Sequence, residues 1–591
     1  MCGIVAYNGE KNTVPHLLWG LAQLEYRGYD SAGIVCMVNG EFVSKKQIGQ
    51  LKNLEDSLKD VELISSVGIG HTRWATHGGI SVENAHPHVS NSGRFAIVYN
   101  GIVENYLELK KILTENGYTF VGQTDSEILA NWIEFTCKNL KTVEEVAIAI
   151  EKALNEISGS YAVVIIDKNL PELLWCSRVA SPMVLGKFLD GVAIASDSSA
   201  LGLGEKKIWY VPENKIICVD SRQARKLENN KLESITDWQE FKDGETGATK
   251  DGFDFFTMKE IHEQSKVLGE LATRYLKNGK IDLGVNSMFK DTGKTGRIII
   301  IACGTSWHAG LAGEYFIEKI AGIPVEVEYA SEFRYREVPL FSTDLVIAIS
   351  QSGETADTLA AVEYAKRSGA RVMGLTNVPY SALSRTVEGC IFTYSGKEMG
   401  VAATKTFTCQ LLVLYLFANM LALNLNKNVN MAELENLKEL PAEISKMLSD
   451  DSGAQELSRE LNAASFVLYL GRLLGVAAAH EGALKLKELS YIPVQAFPAG
   501  EMKHGPLALV DEKSVVVCVE IGNEASKLES NMQEIKARGG KVFLIKPESK
   551  SEFNRLVLVS VWLQLAAYYS SAFKGLDVDR PRNLAKTVTV E

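Results

Sequence analysis

The sequence predicts an α+β domain rich in antiparallel sheet, followed by two doubly wound α/β domains. Three observations carry this. Up to about residue 240 the chain is built of short β-like runs that end in Gly, Asn or Asp, as strand-to-turn junctions do. A polar, glycine-punctuated stretch, "QEFKDGETGATKDGFDFF" (residues 239–256), then breaks the pattern. Beyond it continuous apolar strands alternate with helices, and that alternation restarts near residue 450.

In the first region the strand candidates are "GIVAYNG", "AGIVCMV", "SVGIGHTRWATHG", "FAIVYNGIVEN", "YAVVIID", "VAIASD" and "KIICVD", interrupted by helical patterns over Asn105–Glu115 and Asp125–Asn139. In the second, "RIIIIACGTS" leads into "WHAGLAGEYFIEKIAG" and "DLVIAISQSGET" into "ADTLAAVEYAKRSG", with "RVMGLTN" after them. The third repeats the scheme with "SFVLYLGRLL", "GVAAAHEGALKLKELSYI", "SVVVCVEI" and "KVFLIK", so the two α/β units look like a tandem duplication. A helix stop is predicted at Gly575, before a polar tail. The expected boundaries are 1–240, a linker at 241–258, 259–445, 446–575 and a tail at 576–591. At 591 residues several cores are required.

Composition excludes several function classes. A net charge of −11 without a Lys/Arg cluster argues against a nucleic-acid partner, while leaving room for a local phosphate pocket. The nine cysteines are scattered and include no CxxC pair, which fits a reducing cytoplasm better than a disulfide framework or a thiolate metal site. The start has no basic region followed by an apolar one, as a signal peptide would. The most apolar stretch, Gln410–Leu425, is short for a membrane span and is expected as a buried helix. No membrane association is expected.

Chemistry gathers first at the start, "MCGIVAYNGE". Once Met1 is removed, Cys2 carries both a thiol and a free α-amine, and an amine with a pKa of about 8 can act as base to its own thiol. On its own, "MC" is weak evidence, since a cysteine is also a small hydrophobe suited to a strand. "HTRWATHG" (His71–Gly78) adds two histidines, an arginine and two threonines between glycines. Asn100 and Gly101 in "YNGIVEN" offer a side-chain amide and a backbone N–H to a developing oxyanion. Asp125, in "GQTDSE", stands just before a helix, where a cap is the simplest role. A metal site from His71, His77, His86 and His88 lacks a ligand spacing, and Pro87 separates the last two.

Taken in order, "CGIV", "LEYRGYDSAG", "GIGHTRWATHG", "NAHPHVS", "YNGIVEN" and "TDSE" resemble the glutaminase domain of the N-terminal-nucleophile amidotransferases. The resemblance implies that the Cys2 thiolate attacks the side-chain amide of glutamine and that water then cleaves the thioester. It further implies that Arg73 clamps the substrate carboxylate, Asp125 holds its ammonium, and Thr76 and His77 line the pocket. Asn100 and Gly101 would form the oxyanion hole, and Trp74 would gate the ammonia path.

In the second half, "CGTS" (Cys303–Ser306) and "SQSGET" (Ser350–Thr355) each end an apolar strand before a helix. Open α/β sheets bind ligands there, and a helix N-terminus suits a phosphate. Thr305, Ser306, Ser350, Gln351, Ser352 and Thr355 are the candidate contacts. Neither a GxGxxG nor a GK[ST] loop occurs in these positions, so a small phosphorylated ligand is favoured over a nucleotide.

These loops, with "ASEFRYRE", "GVAATKTFT", "EGALKLKE", "AGEMKHGP" and "PRNLAKTVTVE", resemble the sugar isomerase (SIS) domain family. The two resemblances together imply a homodimeric enzyme that uses glutamine and fructose 6-phosphate, with no cofactor and no metal. By the same resemblance His504 opens the sugar ring, Lys586 forms a Schiff base, and Glu488 moves the proton with Lys485 beside it on one helix. Two departures from the family pattern stand out: Tyr99 precedes Asn100 where histidine is common, and Ala403 replaces a serine. The segment near 546–560 is also short, as if one strand–loop unit of the last domain were missing.

Overall fold

The computed structural model describes residues 2–75, 77–241, 249–277, 279–289, 293, 295–522 and 525–588. The chain forms two compact units, Met1–Gly247 with Thr587–Glu591, and Ala248–Lys586.

The first unit is a four-layer sandwich. Alternate side chains of one strand serve two cores, because the strand period is two. In Gly3–Gly9, Ile4 and Ala6 face the second sheet while Val5 and Tyr7 face outer helices. In Tyr161–Asp167, Ala162, Val164 and Ile166 face inward, whereas Tyr161, Val163 and Ile165 meet helices on the far side. Each strand thus reads as a near-continuous apolar run, although the sheets are antiparallel. One sheet has eight strands and the other seven. Helices Thr13–Leu24 and Leu51–Leu58 cover the first sheet, and Tyr106–Glu115, Asp125–Thr136 and Val143–Asn155 cover the second.

Three of those five helices (13–24, 51–58 and 143–155) are absent from the sequence reading. The two that were expected end close to their predicted bounds, the second three residues short of Asn139. Residues 239–241 of the polar stretch form an edge strand paired with Lys206–Ile208, and a helix begins at Phe256.

The second unit holds two parallel sheets. The first, of five strands, runs spatially Val325–Tyr329, Ile298–Ala302, Leu345–Ile349, Arg371–Thr376, Gly389–Phe392. The second, of four, runs Val494–Pro498, Phe466–Gly471, Ser514–Val519, Lys541–Ile545. Both follow the order 2-1-3-4, and among the described residues the second has no counterpart of the fifth strand. After Lys541–Ile545 the chain passes within a few residues into helix Glu552–Ala572, which accounts for the short segment noted above. Helix Lys405–Asn424 is long and apolar enough to cross a membrane, yet 94% of its most apolar window is buried inside the fold. Its leucines and phenylalanines, with the last helix, fill a core continuous between the two sheets.

Candidate active sites

In the first unit, strand Gly3–Gly9 lies between Val67–Arg73 and Gly191–Ala195, which sets Cys2 beside the end of "HTRW". The Cys2 Sγ accepts from the Trp74 backbone N–H at 3.3 Å and lies 3.5 Å from the Trp74 carbonyl oxygen. Burial pushes the thiol's pKa up, while the Trp74 N–H and the Arg73 guanidinium pull it down. Asn100 donates from Nδ2 to the Cys2 carbonyl oxygen at 3.0 Å and to Ser196 Oγ at 3.1 Å. Gly101 follows with φ +152°, and a Cβ there would stand 2.0 Å from the Ser160 carbonyl oxygen, so only glycine leaves that backbone in place.

Arg73 is buried and donates to the carbonyl oxygens of His77 at 2.6 Å, Gly79 at 3.1 Å and Gly78 at 3.2 Å. The guanidinium therefore braces the loop after it. His77 packs edge-on against Tyr106 at 4.6 Å, and half-buried Trp74 packs edge-on against Tyr29 at 5.7 Å. Thr76 lies outside the described residues.

The cap before helix Asp125–Thr136 is Thr124, whose side chain accepts from Glu127 N, and Asp125 is the first helical residue. The sequence reading gave Asp125 the capping role that Thr124 holds. The shift by one residue leaves its carboxylate free to accept from Val103 N at 2.8 Å, with Ser126 N at 3.0 Å. Burial raises the Asp125 pKa against those two bonds.

In the second unit, strands Ile298–Ala302 and Leu345–Ile349 are neighbours whose onward connections leave in opposite directions, a topological switch point. "CGTS" and "SQSGET" leave from their carboxyl ends. Gly353, at φ +67°, has room for no side chain: a Cβ would meet Ser381 Oγ at 2.1 Å. The tight turn lets Ser350 Oγ accept from Gly353 N at 3.0 Å and pair with Thr355 Oγ1 at 2.8 Å, while Ser352 Oγ accepts from Glu354 N at 3.1 Å. Helix Ala356–Arg367 then starts at Thr355 without a side-chain cap. The Gln351 carbonyl accepts from Asn377 N at 3.0 Å, tying the loop to the next strand end.

Helix Leu474–Ser490 delivers the charged groups. Lys485 is 1% exposed and reaches Glu488 Oε2 at 2.5 Å, Glu481 Oε1 at 3.4 Å and Thr305 Oγ1 at 3.1 Å. A solvated helix face is thus confined to Lys487, which is exposed. Burial pulls the Lys485 pKa down, but Glu481 and Glu488 outweigh it and raise it; reciprocally, Lys485, His308 and Thr305 hold Glu481 below its usual range despite burial. His308 Nδ1 meets Glu481 Oε2 at 2.7 Å. Ser306 is turned the other way and accepts from Gln410 Nε2 at 3.0 Å.

The tail is docked. Asp579 accepts from Phe256 N and Thr257 N, both at 2.8 Å, at the start of helix Phe256–Tyr275. Arg582 lies over the Tyr491 ring at 4.2 Å. Lys586 donates to Glu398 Oε2, both side chains being buried. Glu398 also accepts from Thr404 N at 2.9 Å, Thr406 N at 3.1 Å and Thr406 Oγ1 at 2.7 Å, and its charge reaches Lys485. Burial favours a neutral Glu398, yet Lys586 and these donors force it well below the carboxylate range. Beside it, burial and the Glu398 charge push Glu260 up to about 8.

His504 is exposed on the loop after strand Val494–Pro498 and bonds to none of these groups. A cleft of about 980 Å³ at the end of the second sheet, with Glu443, Glu520, Lys546 and Arg555 in its wall, contains none of the candidate residues. Sequence reasoning did not single out Glu398, Glu260, Glu481 or His308. Glu481 alone had a local signal, its place one turn before Lys485.

The sequence matches the glutamine amidotransferase domain family over residues 71–202 and the SIS domain family twice, over 293–420 and 461–564. The fold and the two sites thus define a glutamine amidotransferase joined to a sugar isomerase. Curated relatives carrying the name glutamine–fructose-6-phosphate aminotransferase [isomerizing] are 41% identical in Caldanaerobacter subterraneus, 42% in Chlorobaculum tepidum and 40% in Aquifex aeolicus, each alignment covering 100% of both chains. The C-terminal domain of glucosamine-fructose-6-phosphate aminotransferase from Francisella tularensis, a solved structure, superposes with a TM-score of 0.55 at 38% identity, covering 57% of this chain and 100% of that one. The chain belongs to the family of isomerizing glutamine–fructose-6-phosphate aminotransferases. It is an enzyme whose small-molecule substrates are glutamine and a sugar phosphate.

Proposed function

We propose that the chain hydrolyses glutamine at Cys2 and passes the ammonia internally to fructose 6-phosphate, which it converts to glucosamine 6-phosphate. The observation that carries the sugar half is the convergence of tail Lys586, through Glu398, on the Thr305–Glu481–Lys485–Glu488 cluster.

With Met1 removed, the Cys2 amine takes the thiol proton and the thiolate adds to the glutamine carboxamide. The tetrahedral oxyanion is stabilised by the Gly101 N–H and by Asn100 Nδ2, which gives up one of its two bonds for it, and ammonia leaves with the proton returned by the amine. Water then cleaves the thioester to glutamate. Arg73, Thr76, His77 and Asp125 hold the amino-acid end, and Trp74 gates the ammonia. For Arg73 this requires the 77–79 carbonyls to be traded in part for the substrate carboxylate.

Fructose 6-phosphate binds with its phosphate on the 350–355 loop, where Ser350, Gln351, Ser352 and Thr355 meet an uncapped helix start. Thr305 and Ser306 complete the site, which for Ser306 requires the bond it accepts from Gln410 Nε2 to be traded for the sugar phosphate. His504, contributed across a homodimer, opens the ring. Lys586 Nζ adds to the C2 carbonyl and water leaves, giving an imine, from which ammonia displaces the lysine. Glu488 then removes the C1 proton and returns it to C2, with Lys485 Nζ 2.5 Å from its Oε2. The working domains are 1–240, 259–445 and 446–575, joined by 241–258 and completed by the tail at 576–591. Nine unpaired cysteines support a cytoplasmic setting.

The test supplies both substrates and follows glutamate and amino-sugar phosphate together. Cys2→Ala is expected to lose glutamine-dependent synthesis and keep sugar isomerisation. Lys586→Ala is expected to lose synthesis and keep glutamine hydrolysis. Mass spectrometry showing Met1 retained on active enzyme would overturn the role of the Cys2 amine.

A further inference from the structure

The Asn100 amide is useful to an oxyanion only one way round. Its NH2 must face Cys2; with the amide reversed, a carbonyl oxygen would repel the developing charge. One histidine outside the roles assigned above decides this.

His71 lies on strand Val67–Arg73, opposite Ile4 of the strand that carries Cys2. Its Nε2 is 3.1 Å from the Tyr99 carbonyl oxygen and 2.9 Å from Asn100 Oδ1. A backbone carbonyl can only accept, so Nε2 must carry the proton. That same N–H meets the Asn100 side chain, so the atom facing it must be the oxygen. The NH2 is thereby turned toward the Cys2 carbonyl oxygen and Ser196 Oγ. Reversing the amide would set two donors against each other at His71 and two carbonyl oxygens against each other at Cys2.

The ring can carry only this one proton. Burial pushes its pKa down to about 3, so it is neutral throughout the working range. Nδ1 has no hydrogen-bond partner among the described residues, and the face of His71 is covered by the His86 ring at 4.1 Å. A proton at Nδ1 would be buried without an acceptor, and Nε2 would then point a lone pair at the Tyr99 carbonyl.

We infer that His71 is a positioning residue for glutamine hydrolysis, locking the Asn100 amide with its NH2 toward Cys2. The inference rests on the reading of Asn100 as the oxyanion donor.

The test uses full-length enzyme with Met1 removed, comparing glutamate release by His71→Leu, His71→Gln and His71→Asn with that by Asn100→Ala and Asn100→Ala/His71→Leu. Removing an oxyanion donor lowers kcat by about 10²–10³-fold, so Asn100→Ala should fall in that range and His71→Leu, which frees the amide to reverse, by roughly 30-fold with little change in KM. Gln places its N–H where Nε2 stands and should retain kcat to within roughly fivefold. Asn places it at the Nδ1 position and should behave like Leu. On the Asn100→Ala background the His71→Leu change should cost nothing more, since it acts only through that amide.

A general structural defect would instead be additive and would also reduce ammonia-dependent synthesis. Parental kcat in His71→Leu beside a crippled Asn100→Ala would overturn the inference and leave the oxyanion reading standing. A parental Asn100→Ala would overturn both. Should His71→Leu not fold, equal losses in the Gln and Asn variants would refute the inference, and a better Gln variant would support it.

Discussion

Glu398→Gln tests whether the tail lysine acts from a fixed position. The carboxylate receives Lys586 Nζ, Thr404 N, Thr406 N and Thr406 Oγ1, all of them buried. Glutamine preserves the shape and keeps one oxygen for the two backbone donors, but it removes the only charge that Lys586 is paired with among the described residues. Removing one partner of a buried pair costs about 3–5 kcal/mol, because the other is left charged and desolvated. The tail can escape that cost by moving. Its upstream anchor is Asp579 on Phe256 N, Thr257 N and Thr257 Oγ1, and hydrogen bonds to a charged group are each worth about 1.5–3 kcal/mol. That anchor matches or exceeds the pair, so only the residues just before Lys586 should let go. A nucleophile displaced by an ångström or more loses about 10²-fold in rate.

Ammonia-dependent formation of amino-sugar phosphate should therefore fall by roughly 10²-fold. Glutamate release without sugar should stay near parental, and hydrogen exchange should rise at residues 583–586 but not at 577–580. Adding Lys586→Met should restore the stability lost in Glu398→Gln without restoring synthesis. Parental synthesis in Glu398→Gln would refute the argument, as would an equal loss of glutaminase activity, which would point to general unfolding.

Glu260 gives a pH prediction. Folded, it keeps its proton to about 8, against 4.5 in the unfolded chain. Between those values the folded state holds the extra proton, so stability falls as pH rises, by at most roughly 1.4 kcal/mol per pH unit. Glu260→Gln should flatten that fall in Tm between about pH 5 and 8, and an unchanged slope in the variant would count against the assignment. Gly101→Ala forces a Cβ to 2.0 Å from the Ser160 carbonyl oxygen and should abolish glutamine hydrolysis while ammonia-dependent synthesis continues. Gly353→Ala, with its Cβ 2.1 Å from Ser381 Oγ, should raise the KM for the sugar phosphate and leave glutaminase KM alone. Either alanine variant showing parental kinetics would mean the loop relaxes without consequence.

What was legible in the sequence follows from the range of the interactions involved. The antiparallel unit showed as apolar runs because both faces of its sheets are buried, and the same burial hid period two, which reappears only when Ile4 and Val5 are seen in different cores. Both α/β units were readable because each strand leads directly into a loop and helix. Helix Val143–Asn155 carries a local signal that was passed over, the Thr142–Glu145 capping box. Placing the cap at Asp125 instead of Thr124 was a one-residue error in a run of three residues able to cap.

The site residues that escaped notice are those whose meaning depends on distant partners. Glu398 reads as a loop acid until residue 586 folds onto it, and His308 reads as a helix histidine until Glu481 reaches it. Lys485 shows the same effect in reverse. By pattern it belongs on a solvated face, and it is buried only because Glu481, Glu488 and Thr305 together satisfy its charge. His71 is the sharpest case. The motif "GHTRWATHG" marks the segment, but the role comes from which nitrogen bears the proton, and a backbone carbonyl on a strand of the other sheet fixes that. A backbone carbonyl carries no residue identity. A tautomer set by main-chain geometry therefore leaves no mark in the residue that sets it, and only the fold discloses it.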